Sequence, residues 1–144
     1  MKYYIAYGSN LSVEQMTWRC PDAVLVGKAL LKGWKLAFGA HATIEPCPDS
    51  EVPVLIWHIS EEDEKHLDRY EGYPTYYYKE NLEVIMTDLD GNDPAEVEAM
   101  VYIMTELQKA GFPTERYVHI IADGYRQFGF NQDILQNALM ECLY

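Results

Sequence analysis

The 144-residue chain predicts an α+β fold: a twisted sheet, closed or nearly closed on itself, with helices packed at its sides. Three observations carry this. Strand-like stretches outnumber helical ones, hairpin-type and helical connections are mixed, and with 49% apolar residues the chain can build one core as a single domain spanning 1–144. There is no internal repeat and no low-complexity segment.

The elements follow in order. "KYYIA" (2–6) is aromatic and β-branched and reads as a first strand. "SVEQ" (12–15) has the form of a capping box, so Ser12 caps a short helix reaching about Arg19, which Pro21 closes. "AVLVGKALL" (23–31) and "WKLAF" (34–38) read as two strands joined through Lys32 and Gly33. A loop rich in proline and acids, "EPCPDSEVP", then leads into the strand "VLIWHI" (54–59). Ser60 starts a second helix, with Asp63 as capping partner, three acids in its first turn and Gly72 as the natural residue past its end. Strands over 76–86 and 96–104 flank Asp90-Gly91, a hairpin signal. A helix from about Thr114 to Phe128 follows. The last helix starts at Asn131, with Ile134, Leu135, Ala138, Leu139 and Cys142 on one stripe.

Composition excludes several function classes. The formal net charge is −12 with scattered Lys and Arg, so a phosphate-rich partner is repelled and nucleic acid is not expected. The longest apolar stretch falls well short of the roughly 20 residues a membrane helix needs, and no leader pattern opens the chain, so a soluble protein without a membrane partner is expected. Three dispersed cysteines argue against a disulfide framework and for a reducing cytoplasm. The four histidines form no ligand spacing, so neither a metal nor another cofactor is expected.

Two short stretches carry chemistry. In "YGSN", Tyr7 to Asn10, a strand ends and a helix begins, which aims successive backbone N–H groups at one spot suited to a carboxylate or phosphate. Gly8 lets a ligand approach, and Ser9 and Asn10 add short polar groups; an ordinary strand-to-helix loop uses the same residue types. In "LDRYEGYP", Glu71 sits at the C-terminal pole of a helix between Tyr70 and Tyr73. The helix dipole and aromatic desolvation both push a carboxyl there toward the range of a general base, the plain alternative being an exposed terminal glutamate. Twelve tyrosines are many, and in "YPTYYYK" strand alternation sets Tyr76 and Tyr78 on one face and Tyr77 on the other. Cys20 lies beside Arg19 but has no histidine near it in sequence. Serine-hydrolase, P-loop and dinucleotide motifs are missing.

Taken together, "YIAYGSNL", "GKALLKGWKLAF", "ATIEP", "VLIWHISEEDEKHLDRYEGYP", "YYYK" and "PTERYVHIIADGYRQFGF" resemble the γ-glutamylcyclotransferase-like superfamily. The resemblance covers the chain except about its last dozen residues, and it implies a small closed β-barrel with flanking helices that releases 5-oxoproline from γ-glutamyl compounds. It also implies that Tyr7, Gly8, Ser9 and Asn10 hold the glutamyl head group and that Glu71 is the catalytic acid/base. Tyr117 then lines the pocket, as does Tyr78, for which Tyr76 and Tyr77 compete. Pro53 departs from the pattern and removes a backbone donor at that strand.

A γ-glutamyl amide carries its own nucleophile, the α-amine, which explains why serine or cysteine machinery is absent. With −12 overall and only Arg69 and Arg116 near the proposed residues, the expected substrate is a γ-glutamyl amine rather than a γ-glutamyl amino acid. The rival reading is a non-catalytic small-ligand binding module using the same pocket. A variant within the enzyme class removes a γ-glutamyl protecting group in a biosynthetic pathway. Oligomeric state is not legible.

Overall fold

A computed structural model describes residues 1–106 and 110–143. Five strands, β1 (Lys2–Ala6), β2 (Val24–Phe38), β3 (Ala42–Ile59), β4 (Tyr77–Met86) and β5 (Ala95–Met104), form one mixed sheet in the order β2-β3-β1-β5-β4. Four helices, α1 (Val13–Arg19), α2 (Glu61–Glu71), α3 (Glu115–Gln127) and α4 (Gln132–Leu143), flank it.

β1 is short yet central. It pairs antiparallel with β3 from Lys2↔Ile59 to Ala6↔Leu55 and parallel with β5 at Tyr3↔Ala99 and Tyr4↔Met100. It is covered on both faces as well, since the consecutive residues Tyr4, Ile5 and Ala6, which alternate between the faces, are each at most 4% exposed. The core continues through Leu55, Ile56, Val101 and Ile103 on the sheet, and Met16, Leu67, Ile121 and Leu135 from the helices.

The barrel does not fully close. Its two edges meet at one bridge, where Lys28 N donates to Thr87 O (3.0 Å) and Thr87 N donates to Lys28 O (2.9 Å). Two other expectations are corrected. Lys32-Gly33 is no turn: β2 runs through it as a single strand, with a bulge between Lys32 and Trp34. The proline-rich stretch is no separate loop either, because β3 starts at Ala42 and the residues between Pro46 and Glu51 bow out opposite that bulge. Prolines are tolerated because β1 pairs only with Leu55–Ile59, leaving the preceding part of β3 with β2 on one side alone.

The helix ends follow their residue chemistry. Ser12 Oγ accepts the Gln15 amide (3.2 Å) at the head of α1, and Ser60 and Asp63 form a reciprocal capping box at α2. Gly72 ends α2 at φ 66°, a left-handed value that glycine adopts without steric cost. The β4–β5 hairpin forms, with Asp88 Oδ1 accepting from the amides of Asp90 and Asn92 (2.9 Å each).

Candidate active site

Three segments converge at one end of the sheet. β1 delivers the chain into "YGSN", which folds as a 3-10 turn over Ser9–Leu11 between β1 and α1. The end of α2 brings Tyr70 and Glu71 to the same place, and α3, packed against the turn, brings Tyr117. They enclose a cavity of about 410 Å³, whose lining includes Tyr7, Gly8, Ser9, Asn10, Glu71 and Tyr117. Among the described residues no other carboxylate lines it.

The turn presents free donors. Leu11 N is taken up by Gly8 O (3.0 Å) and Ser12 N by Ser9 O (3.1 Å). Among the described residues no backbone bond takes up the amides of Gly8, Ser9 and Asn10, which head the turn. Such a row of amides is a concave site for an anion. At Gly8 the walls are close: a Cβ there would lie 3.4 Å from both Ala42 Cβ and the Tyr117 hydroxyl.

Glu71 is half-buried, and it lines the cavity. Burial pushes its carboxyl up from 4.5 to about 7, with the Arg19 guanidinium acting in the opposite direction. Among the described residues no hydrogen bond reaches this carboxylate. A carboxyl that is half-protonated near neutrality and free of a fixed partner can both take and return a proton. The expected aromatic enclosure exists, with Tyr70 in the lining as expected and the other rings from elsewhere. Tyr73 is 42% exposed and lies under Lys79 Nζ (4.2 Å from the ring centre), whereas Tyr4, Tyr7 and Tyr77 come from strands and the turn. Burial pushes the hydroxyls of Tyr4, Tyr7, Tyr77 and Tyr117 well above their usual range, and the Glu71 charge adds to the rise in each. They stay protonated.

The hydroxyl bonds sort these tyrosines by what they can offer. Tyr7 OH donates to Tyr102 O (2.7 Å) and Tyr77 OH donates to Ala42 O (2.7 Å), so each has only lone pairs left to offer a ligand. Tyr117 OH accepts from Ala42 N (3.0 Å), which leaves its own proton to give to a ligand. A single cavity therefore combines a row of amide donors, a hydroxyl donor, two hydroxyl acceptors and a near-neutral carboxyl.

Tyr78, expected in the pocket, is outside it. It is 39% exposed, and strand alternation turns it away from the side on which Tyr77, 7% exposed, faces inward. Residues the sequence reading missed include Tyr4 and His41 in the lining and Arg19 behind it, while Arg69, noted near the site, and Tyr77, weighed against Tyr78, both line the cavity. Only Tyr77 had a local signal, in the alternation of "YYY". Arg116 lies between α1 and α3, outside the cavity. Cys20 is fully buried, its Sγ donates to Asp63 O (3.7 Å), and burial pushes the thiol up to about 12, which is unsuited to a nucleophile. Among the described residues no group of three His, Cys, Asp or Glu could hold a metal ion, and no helix is long and apolar enough to cross a membrane.

Comparison with known proteins places this geometry in a family. Residues 4–124 match the family described as "Gamma-glutamyl cyclotransferase, AIG2-like". The chain is 30% identical over 142 residues to the mouse protein named gamma-glutamylcyclotransferase, covering 90% of this chain and 73% of that one. It is 31% identical over 138 residues to the human protein of the same name, covering 88% and 71%. A solved structure titled "Gamma-glutamyl cyclotransferase" superposes with a TM-score of 0.80 at 27% identity, covering 95% of this chain and 85% of the other. A mouse AIG2-like protein superposes with a TM-score of 0.60 at 20% identity over 73% of this chain and 78% of the other, a likeness of fold alone. On the match over residues 4–124 and the shared architecture, the chain belongs to the γ-glutamyl cyclotransferase, AIG2-like family.

Proposed function

We propose that this protein is a γ-glutamylcyclotransferase that converts γ-glutamyl amines or amino acids to 5-oxoproline and the free amine, with Glu71 as general acid/base. The observation that carries the reading is the pairing of one near-neutral carboxyl with the free amides of Gly8, Ser9 and Asn10 around a cavity of about 410 Å³. The substrate α-carboxylate sits on those amides. Tyr7 and Tyr77 offer oxygen lone pairs to its α-ammonium, and Glu71 removes the proton. The freed amine attacks the γ-carbonyl carbon, closing a five-membered ring and placing negative charge on the carbonyl oxygen. The Tyr117 hydroxyl and the turn amides are the donors available to that oxyanion. Glu71 then returns the proton to the leaving nitrogen as its bond to the carbonyl carbon breaks. It takes the second proton from the ring nitrogen, which becomes the neutral lactam N–H, and passes that proton to the departing amine.

Holding amine and carbonyl in ring-closing geometry is worth ~7 kcal/mol or more, and proton transfer through Glu71 roughly 10²–10⁴-fold. Arg69 also lines the cavity and is a cation available to a carboxylate on the leaving portion. That weighs against an amine-only preference and toward substrates whose leaving portion carries a carboxylate.

The test is 5-oxoproline release from a panel of γ-glutamyl amides and amino acids. The wild type turns over at least one class, and Glu71→Gln loses turnover while still binding it. A wild type that binds γ-glutamyl ligands without releasing 5-oxoproline would make the protein a binding module instead.

A further inference from the structure

Arg19 is outside the cavity lining, yet its guanidinium grips two residues that form that lining. Its Cζ lies 3.4 Å from the centre of the Tyr70 ring, Nη1 donates to Asn10 Oδ1, and Nη2 reaches Gln15 Oε1 at 3.5 Å. Tyr70 OH in turn shares a hydrogen bond with Ser9 Oγ (3.1 Å), and Asn10 Nδ2 donates to Tyr4 OH (2.8 Å). The contacts close a ring: Arg19 to Asn10, along the turn to Ser9, across to Tyr70 and back to Arg19. A fourth tie, between His66 Nδ1 and the Arg19 carbonyl oxygen (3.1 Å), joins α2 to the end of α1. The three segments held by this ring carry the amide row and Glu71. Arg19 is half-buried, so its field is screened less than that of a surface arginine.

We propose that Arg19 is a positioning residue for the reaction: it locks the amide-bearing turn onto the end of α2 and, stacked on Tyr70, sets its guanidinium charge at the helix pole that carries Glu71. This rests on the cyclotransferase reading above. Only a guanidinium does both jobs from one place, because its planar fork holds Asn10 while its face lies on Tyr70. Lysine at this position keeps the charge but neither the fork nor the stacked plane. The other titratable or charged groups around the cavity are Tyr4 on β1, Tyr7 in the turn, Tyr70 and Arg69 on α2, Tyr76 and Tyr77 at the start of β4, Tyr102 on β5, Tyr117 on α3 and His41 between β2 and β3. Of these, His41 is a histidine, a proton carrier in its own right, so it needs its own control.

The experiment compares the acid limb of kcat/KM in wild type, Arg19→Met and Arg19→Lys. In Arg19→Met the limb moves to higher pH, so the loss of activity at pH 6 exceeds that at pH 8.5 by roughly threefold or more. In Arg19→Lys the limb returns toward its original place while KM stays raised, since the charge is back and the grip on Asn10 is not. The same movement appears when both variants are made in a His41→Gln background. Equal loss at every pH, or a limb that follows His41, overturns the proposal. Titration of the Glu71 side-chain carboxyl by carbon NMR, assigned with Glu71→Gln, needs no turnover. It judges the effect of Arg19 on Glu71 even if the wild type releases no 5-oxoproline, and an unmoved titration in Arg19→Met again overturns the proposal. Should Arg19→Met fail to fold, Arg19→Gln, which can still reach Asn10, takes its place under the same criteria.

Discussion

Replacing Glu71 with glutamine should make the protein more stable at pH 8 even as it removes the proposed base. In the folded chain burial holds this carboxyl near 7, against 4.5 for the ordinary group. The sign follows from proton linkage. Below about pH 4.5 the group is protonated in both folded and unfolded chains and costs nothing. Between 4.5 and 7 the unfolded chain releases the proton while the folded chain keeps it, so stability falls as pH rises; above 7 the full cost is present. Two and a half decades of acidity at 1.36 kcal/mol each give about 3 kcal/mol, an upper value because Glu71 is open to cavity water. Glutamine has the same shape and no charge to bury. Thermal unfolding followed by circular dichroism at pH 5, 6, 7 and 8 should show the two proteins nearly equal at pH 5. Glu71→Gln should be higher melting by roughly 5–10 °C at pH 8. A melting difference that does not change with pH, or a variant less stable than wild type at pH 8, would refute the reasoning.

Arg69→Ala should raise KM for γ-glutamyl amino acids by about tenfold and leave γ-glutamyl amines within about twofold, the cost of losing one charge-assisted contact to a leaving-group carboxylate; steady-state kinetics on matched pairs checks this. Gly27→Ala should destabilise the fold by about 1–3 kcal/mol in urea melts, because an added Cβ would sit 2.2 Å from Thr87 O and 2.8 Å from Met86 Cγ, beside the one bridge that joins the barrel edges. Tyr7→Phe removes the donor to the buried Tyr102 carbonyl and should cost about 1–2 kcal/mol by the same assay, together with a raised KM for every substrate class.

The local elements were legible in the sequence because their signals are local. Ser12 and Ser60 with Asp63 announced helix starts, Gly72 a helix end, Asp90-Gly91 a hairpin, and each forms where expected. The same applies to the juxtaposition of "YGSN" with Glu71, which the resemblance of two separated motifs implied and whose parts meet in one cavity. Where a residue type has two structural uses, the sequence could not choose. Gly33 marks a bulge rather than a turn, and the prolines of β3 lie in a strand arm that β1 leaves unpaired.

What only the tertiary structure decided is the setting of the carboxyl. The sequence suggested that neighbouring Tyr70 and Tyr73 desolvate Glu71; Tyr70 does line the cavity, but Tyr73 turns to Lys79, and further rings come from β1, the turn, β4 and α3. Which hydroxyls already donate, and which keep a proton for a ligand, depends on the carbonyl of Tyr102 and the backbone of Ala42, far away in the chain. The cation that opposes burial at Glu71 is Arg19, fifty-two positions earlier. Amino-acid order determined the elements and the residue types of the chemistry, because caps, turns and strand alternation act over a few residues. Packing alone determined the acidity and the hydrogen-bond roles, because desolvation and charge act through space rather than along the chain.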